Sequence, residues 1–285
     1  MSLVIVNYNT ADQARQMVEG LGDGADEIVI VDNASPNGDV DALRQLPAPV
    51  KVLALADNRG YGAGANAGSM ICTGEVVVVS NADIGISAAD LRSLAAEAYN
   101  EGVGLAGPRF VDATGSLVRS SHYRDPGLLT TLWEYSVLFG AVASRLRPEW
   151  HPTLRSRQDH DADHDTLHVL GALMAMPAEA FREVGGFDEG YFMYFEDVDL
   201  GFRLGKAGYR NVYEPAAAVT HVGAHSTGSE SARMVQAHHD SARRFLSKKY
   251  SGWYLWPVRA VLAVGLAIRS RAITRRLRRG EPTPL

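Results

Sequence analysis

The chain reads as an α/β protein built on a mixed, mainly parallel sheet flanked by helices, on three observations. Short runs of continuous Val and Ile recur through the first hundred residues, with helical stretches between them. The clearest run, Val76–Ser80, has four successive valines, which suits a strand covered on both faces. Two runs end at acidic residues, Asp32 and Asp83, and ligands of open α/β sheets gather at the carboxyl ends of strands.

The elements follow in order. Leu3–Asn7 is a short apolar strand and Asp12–Leu21 a helix. Glu27–Val31 is a second strand, ending at Asp32-Asn33, and the polar turn Ala34-Ser35-Pro36-Asn37-Gly38 leads into a short helix near Val40–Gln45. Val50–Leu55 is the third strand, glycine-rich Gly60–Gly68 opens the next helix, Val76–Ser80 follows, and Leu91–Asn100 is again helical. The second half is less regular. Leu128–Ala143 is apolar and helix-like, while Arg155–Asp165 is a polar loop. Leu167–Met176 reads as a strand, Ala178–Val184 and Val198–Ala207 as helices, Asn211–His221 as a late strand and Met234–Tyr250 as an amphipathic helix.

A length of 285 residues allows one large α/β domain with a small appendage. The single cysteine, Cys72, excludes an internal disulfide, suits a reducing compartment and reads as a small buried apolar residue. The apolar start, Leu3–Val6, is too short for a secretory signal, and no run reaches the length of a membrane span, so a cytoplasmic protein is expected. Charge is uneven. From Trp253 onward seven arginines face the single acid Glu281, about +6 against a total of −5, which leaves the preceding body near −11. A basic tail on an acidic body suits an anionic partner of the tail.

Four features carry chemistry. Asp32-Asn33 follows the second strand, Asn81-Ala82-Asp83 follows the valine strand, Glu196-Asp197 lies in FMYFEDVDLGFRLGKAGYR, and His221 and His225 lie in THVGAHS. Each alone is weak, because a carboxylate after a strand is as readily a helix cap. Their joint order is more telling. The set resembles family 2 glycosyltransferases of the GT-A fold, over roughly residues 1 to 227. DNRGYGAGANAG (Asp57–Gly68) is similar to the glycine-rich loop of the rhamnosyltransferase branch, and GGFDEGYFMYFEDVDLGFRLGKAGYR (Gly185–Arg210) to its acceptor-side signature.

That resemblance implies a GT-A domain over 1–227, with a nucleotide-sugar half (1–100) and an acceptor half (101–227), and C-terminal helices over 228–285. It implies inverting transfer of a sugar, L-rhamnose from its deoxythymidine diphosphate donor, onto a sugar linked to polyprenyl diphosphate in cell-wall or surface polysaccharide assembly. Asp32 would meet the base, with Asn7, Asn33, Gly60, Asn66 and Asn81 completing the donor-binding set. Asn81-Ala82-Asp83 would stand at the metal motif, with Asp83 and His221 holding Mg²⁺ or Mn²⁺. Asp197 would be the catalytic base, with Glu196 beside it.

Elementary chemistry asks for the same groups. The leaving diphosphate gathers negative charge that a divalent cation offsets, and hard cations take carboxylate oxygens with imidazole tolerated. The acceptor hydroxyl needs a base, and a carboxylate at a helix start stays ionised. One base opposite the leaving group predicts inversion. Some positions depart from the family pattern: Asn81 stands where the metal motif has an acid, and Pro177 and His168-Val169 stand where relatives often carry Arg and Trp. Others stay open. Glu196 either orients the acceptor or caps its helix, Asp199 reads as a surface or structural residue, and His221 is favoured over His225 as ligand. Arg59 serves equally as a nucleotide contact or a solvated arginine, and the acid/His run Asp159–Asp165 reads as a solvated loop before a metal site.

Two other readings compete. Gly62-Ala63-Gly64-Ala65-Asn66-Ala67 fits GxGxxA with Asp83 about twenty residues on, the fingerprint of an NAD-dependent oxidoreductase. Against it, Ala56–Tyr61 separates the third strand from the first glycine, and the pyrophosphate turn should follow the strand directly. A catalytically inactive, glycosyltransferase-like binding protein is the other alternative, given Asn81. In the tail, Trp253–Ile268 is apolar except for Arg259, begins with Trp253, Tyr254 and Trp256, and precedes the basic run Arg269–Arg279. Such a segment suits peripheral attachment to the inner face of the cell membrane, at about 1 kcal/mol per basic residue near anionic lipid. Packing as a homodimer helix, or as a core helix with a loose basic end, remains the alternative; nucleic acid is not expected as a partner.

Overall fold

The computed structural model describes residues 1–47, 50–112, 114–118, 122–123, 128, 131, 164–166, 168–221 and 232–279. The expected helix over 128–143, most of the loop over 155–165, and His225 lie outside the described residues.

In chain order the elements are β1 (Ser2–Asn7), α1 (Ala11–Leu21), β2 (Glu27–Asp32), α2 (Asp39–Leu43), β3 (Val50–Ala54), α3 (Tyr61–Ser69), β4 (Val76–Asn81), β5 (Ile84–Gly85), α4 (Ala88–Glu97) and β6 (Val103–Val111). There follow β7 (His122–Tyr123), β8 (His164–Thr166), β9 (His168–Val169), β10 (Leu173–Pro177), α5 (Ala178–Glu183), α6 (Glu196–Lys206), β11 (Arg210–His221), α7 (Ala232–Lys249), a 3₁₀ turn (Trp253–Leu255) and α8 (Trp256–Arg278). They fall into two compact units. The first holds Met1–Arg124, Gln158–Phe192 and Glu196–His225; the second holds Met193–Phe195 and Ser226–Leu285, with the described residues of Asp125–Arg157.

The first unit is built on a nine-stranded sheet of order β3-β2-β1-β4-β10-β6-β11-β5, with β8 on β11. β1 runs parallel to β2 and β4, β2 to β3, and β6 to β11. β10 is antiparallel to both β4 and β6. The valine and isoleucine runs supply both faces, because successive side chains of a strand point to opposite sides. Leu3, Ile5, Ile28, Ile30 and Val78 pack with Met17 and Leu21 of α1 and Leu91 and Leu94 of α4. Val4, Val6, Val29, Val31 and Val79 pack with Ala65 of α3, Phe181 of α5 and Leu200 and Leu204 of α6.

The glycines of α3 have a packing job. A Cβ on Gly68 would stand 2.5 Å from Val4 Cγ1 and 2.7 Å from Val31 Cγ2, one on Gly64 3.1 Å from Val6 Cγ1, and one on Gly62 2.8 Å from Phe187 Cβ. Helix α3 lies hard against β1 and β2, and the two glycines of the GxGxxA spacing have packing reasons of their own, against Val6 and Phe187.

The short strands β5, β7 and β8 were not expected, β8 lying partly where a polar loop was, and three longer elements also differ from the sequence reading. β6, nine residues long and central, was not anticipated, because Gly104, Gly107 and Pro108 interrupt its apolar run. The expected strand Leu167–Met176 is split at Leu170–Ala172 into β9 and β10, a break that Gly171 marks. Helix α6 starts at Glu196, two residues before the expected Val198, which puts both acids in its first turn. In the second unit, α7 packs on α8, and α8 carries the basic run as helix through Arg278. Among the described residues no helix is long and apolar enough to cross a membrane.

Candidate active site

Parallel pairing brings three strand ends level. Asn7 lies across from Asp32, and Val6 across from Asn81. The order reverses between β1 and β4, the place where open α/β sheets form a crevice. Asn9 and Ala34, just past β1 and β2, both carry positive φ, 58° and 61°, so the backbone at this edge is strained.

The edge is wired by side chains. Asp32, buried, accepts Asn7 Nδ2–H at 2.8 Å and Ser35 Oγ–H at 2.6 Å on Oδ1, and the Ser35 N–H at 3.0 Å on Oδ2. Asn7 Nδ2 also reaches Asp39 Oδ2 at 3.1 Å, and that oxygen accepts the Ala11 N–H at 3.2 Å. A carboxylate has about four acceptor positions, so Asp32 keeps one for a further donor. Asn33 donates through Nδ2 to the Gly60 carbonyl at 3.0 Å, which fixes the orientation of its amide. Its buried Oδ1 then has no hydrogen-bond partner among the described residues, a vacancy that suits an N–H from a ligand.

Asp83 and His221 are brought together by the shortest strand pair. β5 runs antiparallel to the end of β11, with His221 across from Ile84 and Thr220 across from Gly85. Asp83 immediately precedes Ile84, and its Oδ1 stands 3.3 Å from His221 Nε2. Two neighbouring ligands of an octahedral Mg²⁺, each about 2.1 Å from the ion, stand about 3 Å apart, so this pair fits one hard cation. Among the described residues no three acidic, histidine or cysteine side chains group around such a position. Any further ligands would come from phosphate oxygens and water, as is usual for Mg²⁺ at substrate phosphates.

Glu196 and Asp197 open α6, and Asp197 is held by main chain. Its Oδ2 accepts the Gly171 N–H at 2.9 Å and its Oδ1 the Val198 N–H at 2.8 Å. The turn that supplies Gly171 also receives the other two walls of the site: Tyr61 Oη–H donates to the Gly171 carbonyl at 2.8 Å, and the Asn81 N–H to the Ala172 carbonyl at 2.8 Å. Burial pushes the Tyr61 phenol well above its ordinary pKa, and the charges of Glu196, Asp197 and Asp83 push the same way. Carboxylates from two distant stretches of the chain, Asp83 and Glu196-Asp197, thus act on one ring. Glu196 is buried, and its Oε2 has no partner among the described residues. Burial and then the Asp197 charge raise its carboxyl to about 8, so it is a neutral acid at pH 7. Burial lowers the His168 pKa, and the Asp197 charge opposes the shift, so the same carboxylate acts on this imidazole too.

Other expected residues make contacts within the protein. Asn66 clasps main chain, donating to the Phe187 carbonyl at 2.9 Å and accepting the Phe187 N–H at 2.8 Å. Arg59 pairs with Glu189 at 2.6 Å, largely in water. Gly60, at φ 101°, has no room for a Cβ against the Phe192 carbonyl. Asp199 is fully buried rather than a surface residue, bonded to Tyr191 Oη at 3.2 Å and Arg203 Nε at 2.6 Å. Sequence reasoning missed Tyr61, Ser35 and Gly171; for Gly171 a lone glycine inside an apolar strand was the available signal.

Comparison with known proteins places this geometry. The family described as "Glycosyl transferase family 2" matches residues 2–185, and "Glycosyl transferase family group 2" matches residues 145–268. The chain is 32% identical to N-acetylglucosaminyl-diphospho-decaprenol L-rhamnosyltransferase of Mycobacterium tuberculosis, over 96% of this chain and 93% of that protein. It is 40% identical to Rhamnosyltransferase WbbL of Escherichia coli over 28% of this chain and 30% of that one. Among solved structures, mannosyltransferase PcManGT from Pyrobaculum calidifontis, in complex with GDP-Man and Mn²⁺, superposes with a TM-score of 0.59 at 16% identity, covering 99% of this chain and 76% of that one. GalNAc-T7 with UDP, GalNAc and Mn²⁺ gives 0.55 at 16% identity, over 99% and 58%. At such identities these likenesses show the GT-A-type fold.

Proposed function

The chain belongs to glycosyl transferase family 2, and on that premise we propose an inverting, metal-dependent transferase that moves L-rhamnose from deoxythymidine diphosphate rhamnose onto a sugar linked to polyprenyl diphosphate. Its glycosyltransferase activity follows from the family; the donor sugar, acceptor, metal and residue roles are our reading. The observation that carries those roles is the convergence of Tyr61, Asn81 and Asp197 on the Gly171–Ala172 turn, with Asp83 two residues past Asn81 and Glu196 next to Asp197. The relative from Mycobacterium tuberculosis, matched along nearly its whole length, supports the transferred sugar and the lipid-linked acceptor by its name.

The site would divide the work as follows. The strand edge holds the nucleotide, with the open acceptor position on Asp32 and the unpartnered Asn33 Oδ1 meeting base N–H groups. A divalent cation on Asp83 and His221 would offset charge on the departing diphosphate. Asp197, aimed by two backbone N–H groups, takes the proton from the acceptor hydroxyl as that oxygen bonds the anomeric carbon. Glu196, neutral by burial, donates a hydrogen bond that orients the acceptor. The C–O bond to the diphosphate breaks on the opposite face, and the configuration inverts.

Catalysis is assigned to residues 1–227 and attachment to residues 228–285, whose aromatic and basic tail would hold the enzyme at the inner face of the membrane where lipid-linked acceptors reside. The deciding experiment is a donor screen that measures nucleotide release with and without Mg²⁺ or Mn²⁺, for the wild type and Asp197→Asn. Release from a deoxythymidine diphosphate sugar that needs metal, acceptor and Asp197 is expected. Metal-indifferent turnover, or hydride transfer, would overturn the reading.

A further inference from the structure

Helix α8 has two apolar faces, and only one is used for packing. Leu262, Leu266 and Ile273 are buried. On the other side Val261, Val264 and Ile268 are exposed at helical spacing, Val264 to 59%, and Trp253, Tyr254 and Trp256 stand exposed at the start of the same segment. Two apolar faces cancel in the sequence pattern, which is why no amphipathic stripe is visible there. Continued by three and four residues, the exposed stripe changes character and becomes Arg271 and Arg275. The stripe from Val261 to Arg275 runs about 21 Å along one helix.

Those arginines also edge a cleft of about 450 Å³ between α7 and α8, with Arg243 and Asp240 on the α7 side and Ser270 and Thr274 on the α8 side. Asp240 lies 3.5 Å from Arg243 and so offsets that charge locally. Arg271 and Arg275 have no carboxylate partner among the described residues. The cleft therefore carries a net positive charge and two hydroxyls, with unpaired guanidinium groups that match phosphate oxygens. It sits beside an apolar and aromatic face that water disfavours.

We propose that this cleft and stripe form one docking surface for an anionic bilayer, in which Arg271 and Arg275 grip the phosphate of a phospholipid headgroup while Val261, Val264, Ile268 and the aromatics enter the interface. This deepens the attachment reading above by naming the residues and the headgroup chemistry. Charge complementarity selects the occupant: the basic end of the stripe suits anionic lipid, and a second copy of the same face would set arginine against arginine or bury it on valine.

The test uses the full chain and flotation with vesicles of phosphatidylcholine alone or mixed with phosphatidylglycerol. Binding is expected only with the anionic lipid, and Arg271→Ala with Arg275→Ala should weaken it about 30-fold. Val264→Asp with Ile268→Asp should also release the protein, and both variants should keep wild-type transfer to a water-soluble acceptor. Equal binding to both vesicles, or anionic binding that ignores the two arginines, would sink the cleft while leaving tail attachment standing. Inorganic phosphate that binds by itself and displaces the protein from vesicles would assign the cleft to a free anion. Loss of a dimer in Val264→Asp with Ile268→Asp, with vesicle binding intact, would assign the stripe to a second copy. No binding to any vesicle would remove tail attachment as well, whereas absent transfer in every form would count against the proposed reaction alone.

Discussion

The Gly171 N–H donates to Asp197 Oδ2 at 2.9 Å in a tight space: a Cβ on Gly171 would stand 3.0 Å from Asp197 Cβ and 3.2 Å from Oδ2. Gly171→Ala asks the carboxylate it orients to give by a few tenths of an ångström. Misplacing a reacting group by about 1 Å costs on the order of 10²-fold in rate, so a smaller kcat drop, roughly 10-fold, is expected. The donor KM should stay nearly unchanged, because the nucleotide edge lies on other strands. Steady-state kinetics with saturating acceptor would measure it, and an unaltered kcat would mean Asp197 is not the base.

The pairing of Asp83 with His221 predicts a metal phenotype that either side chain alone produces. With two ligands in reach of one cation among the described residues, Asp83→Asn or His221→Ala removes half of that contribution. Activity should fall roughly 10²-fold or more, and added Mn²⁺ should restore more of it in His221→Ala, where the carboxylate survives. Titration of each variant with Mg²⁺ and Mn²⁺ in the presence of donor measures the change. Equal metal response in both variants and the wild type would detach this pair from metal binding.

Much of the framework was legible in the sequence, and the reasons are local. Continuous Val and Ile runs announce buried parallel strands, so β1, β2 and β4 were readable, with the acids Asp32 and Asp83 at the ends of the last two. β6 was not, since Gly104 and Gly107 are small because Tyr209 and Val169 occupy the space, and that reason lies far along the chain. The same holds for Asn66. Its place in a glycine-rich motif suggested the donor, but its amide spends both ends on Phe187, a contact over 121 residues. Glu196 shows the limit most clearly: a carboxylate at a helix start looks like a solvated cap, and only the fold reveals that it is buried, with an oxygen that no described residue bonds.

Neighbouring acids on α6 should behave oppositely. Asp199 is fully buried, bonded to Tyr191 Oη and to Arg203, whose Nη1 donates to the Val184 carbonyl at 2.6 Å. Removing one partner of a buried pair strands the other, at a cost of about 3–5 kcal/mol. Asp199→Ala should therefore lower the urea midpoint strongly while each folded molecule still turns over. Asp197→Asn should do the reverse, with stability nearly kept and kcat down about 10²- to 10⁴-fold. Parallel denaturation and active-site titration of the two variants separates the roles; equal losses of both properties in each would erase the distinction.

The buried acid makes stability fall with pH in a window the protein inhabits. Glu196 has its carboxyl raised by burial, and secondarily by Asp197, from 4.5 to about 8. Between those values the folded chain holds a proton that the unfolded chain releases. Stability from this group is thus complete below about pH 4.5 and is lost as pH rises through about 8, by up to about 1.4 kcal/mol per unit. Glu196→Gln stays neutral throughout, so its stability advantage over the wild type should grow across that window and level off above it. Denaturant midpoints of both proteins from pH 5 to 9, roughly one unit apart, measure the divergence. Transfer should follow the same proton: if neutral Glu196 donates to the acceptor, the wild type should lose acceptor affinity as pH passes about 8, and the Gln variant, whose amide still donates, should not. Parallel stability profiles would show that Glu196 is ionised in the folded protein, and the assignment of a neutral donor would fail with them.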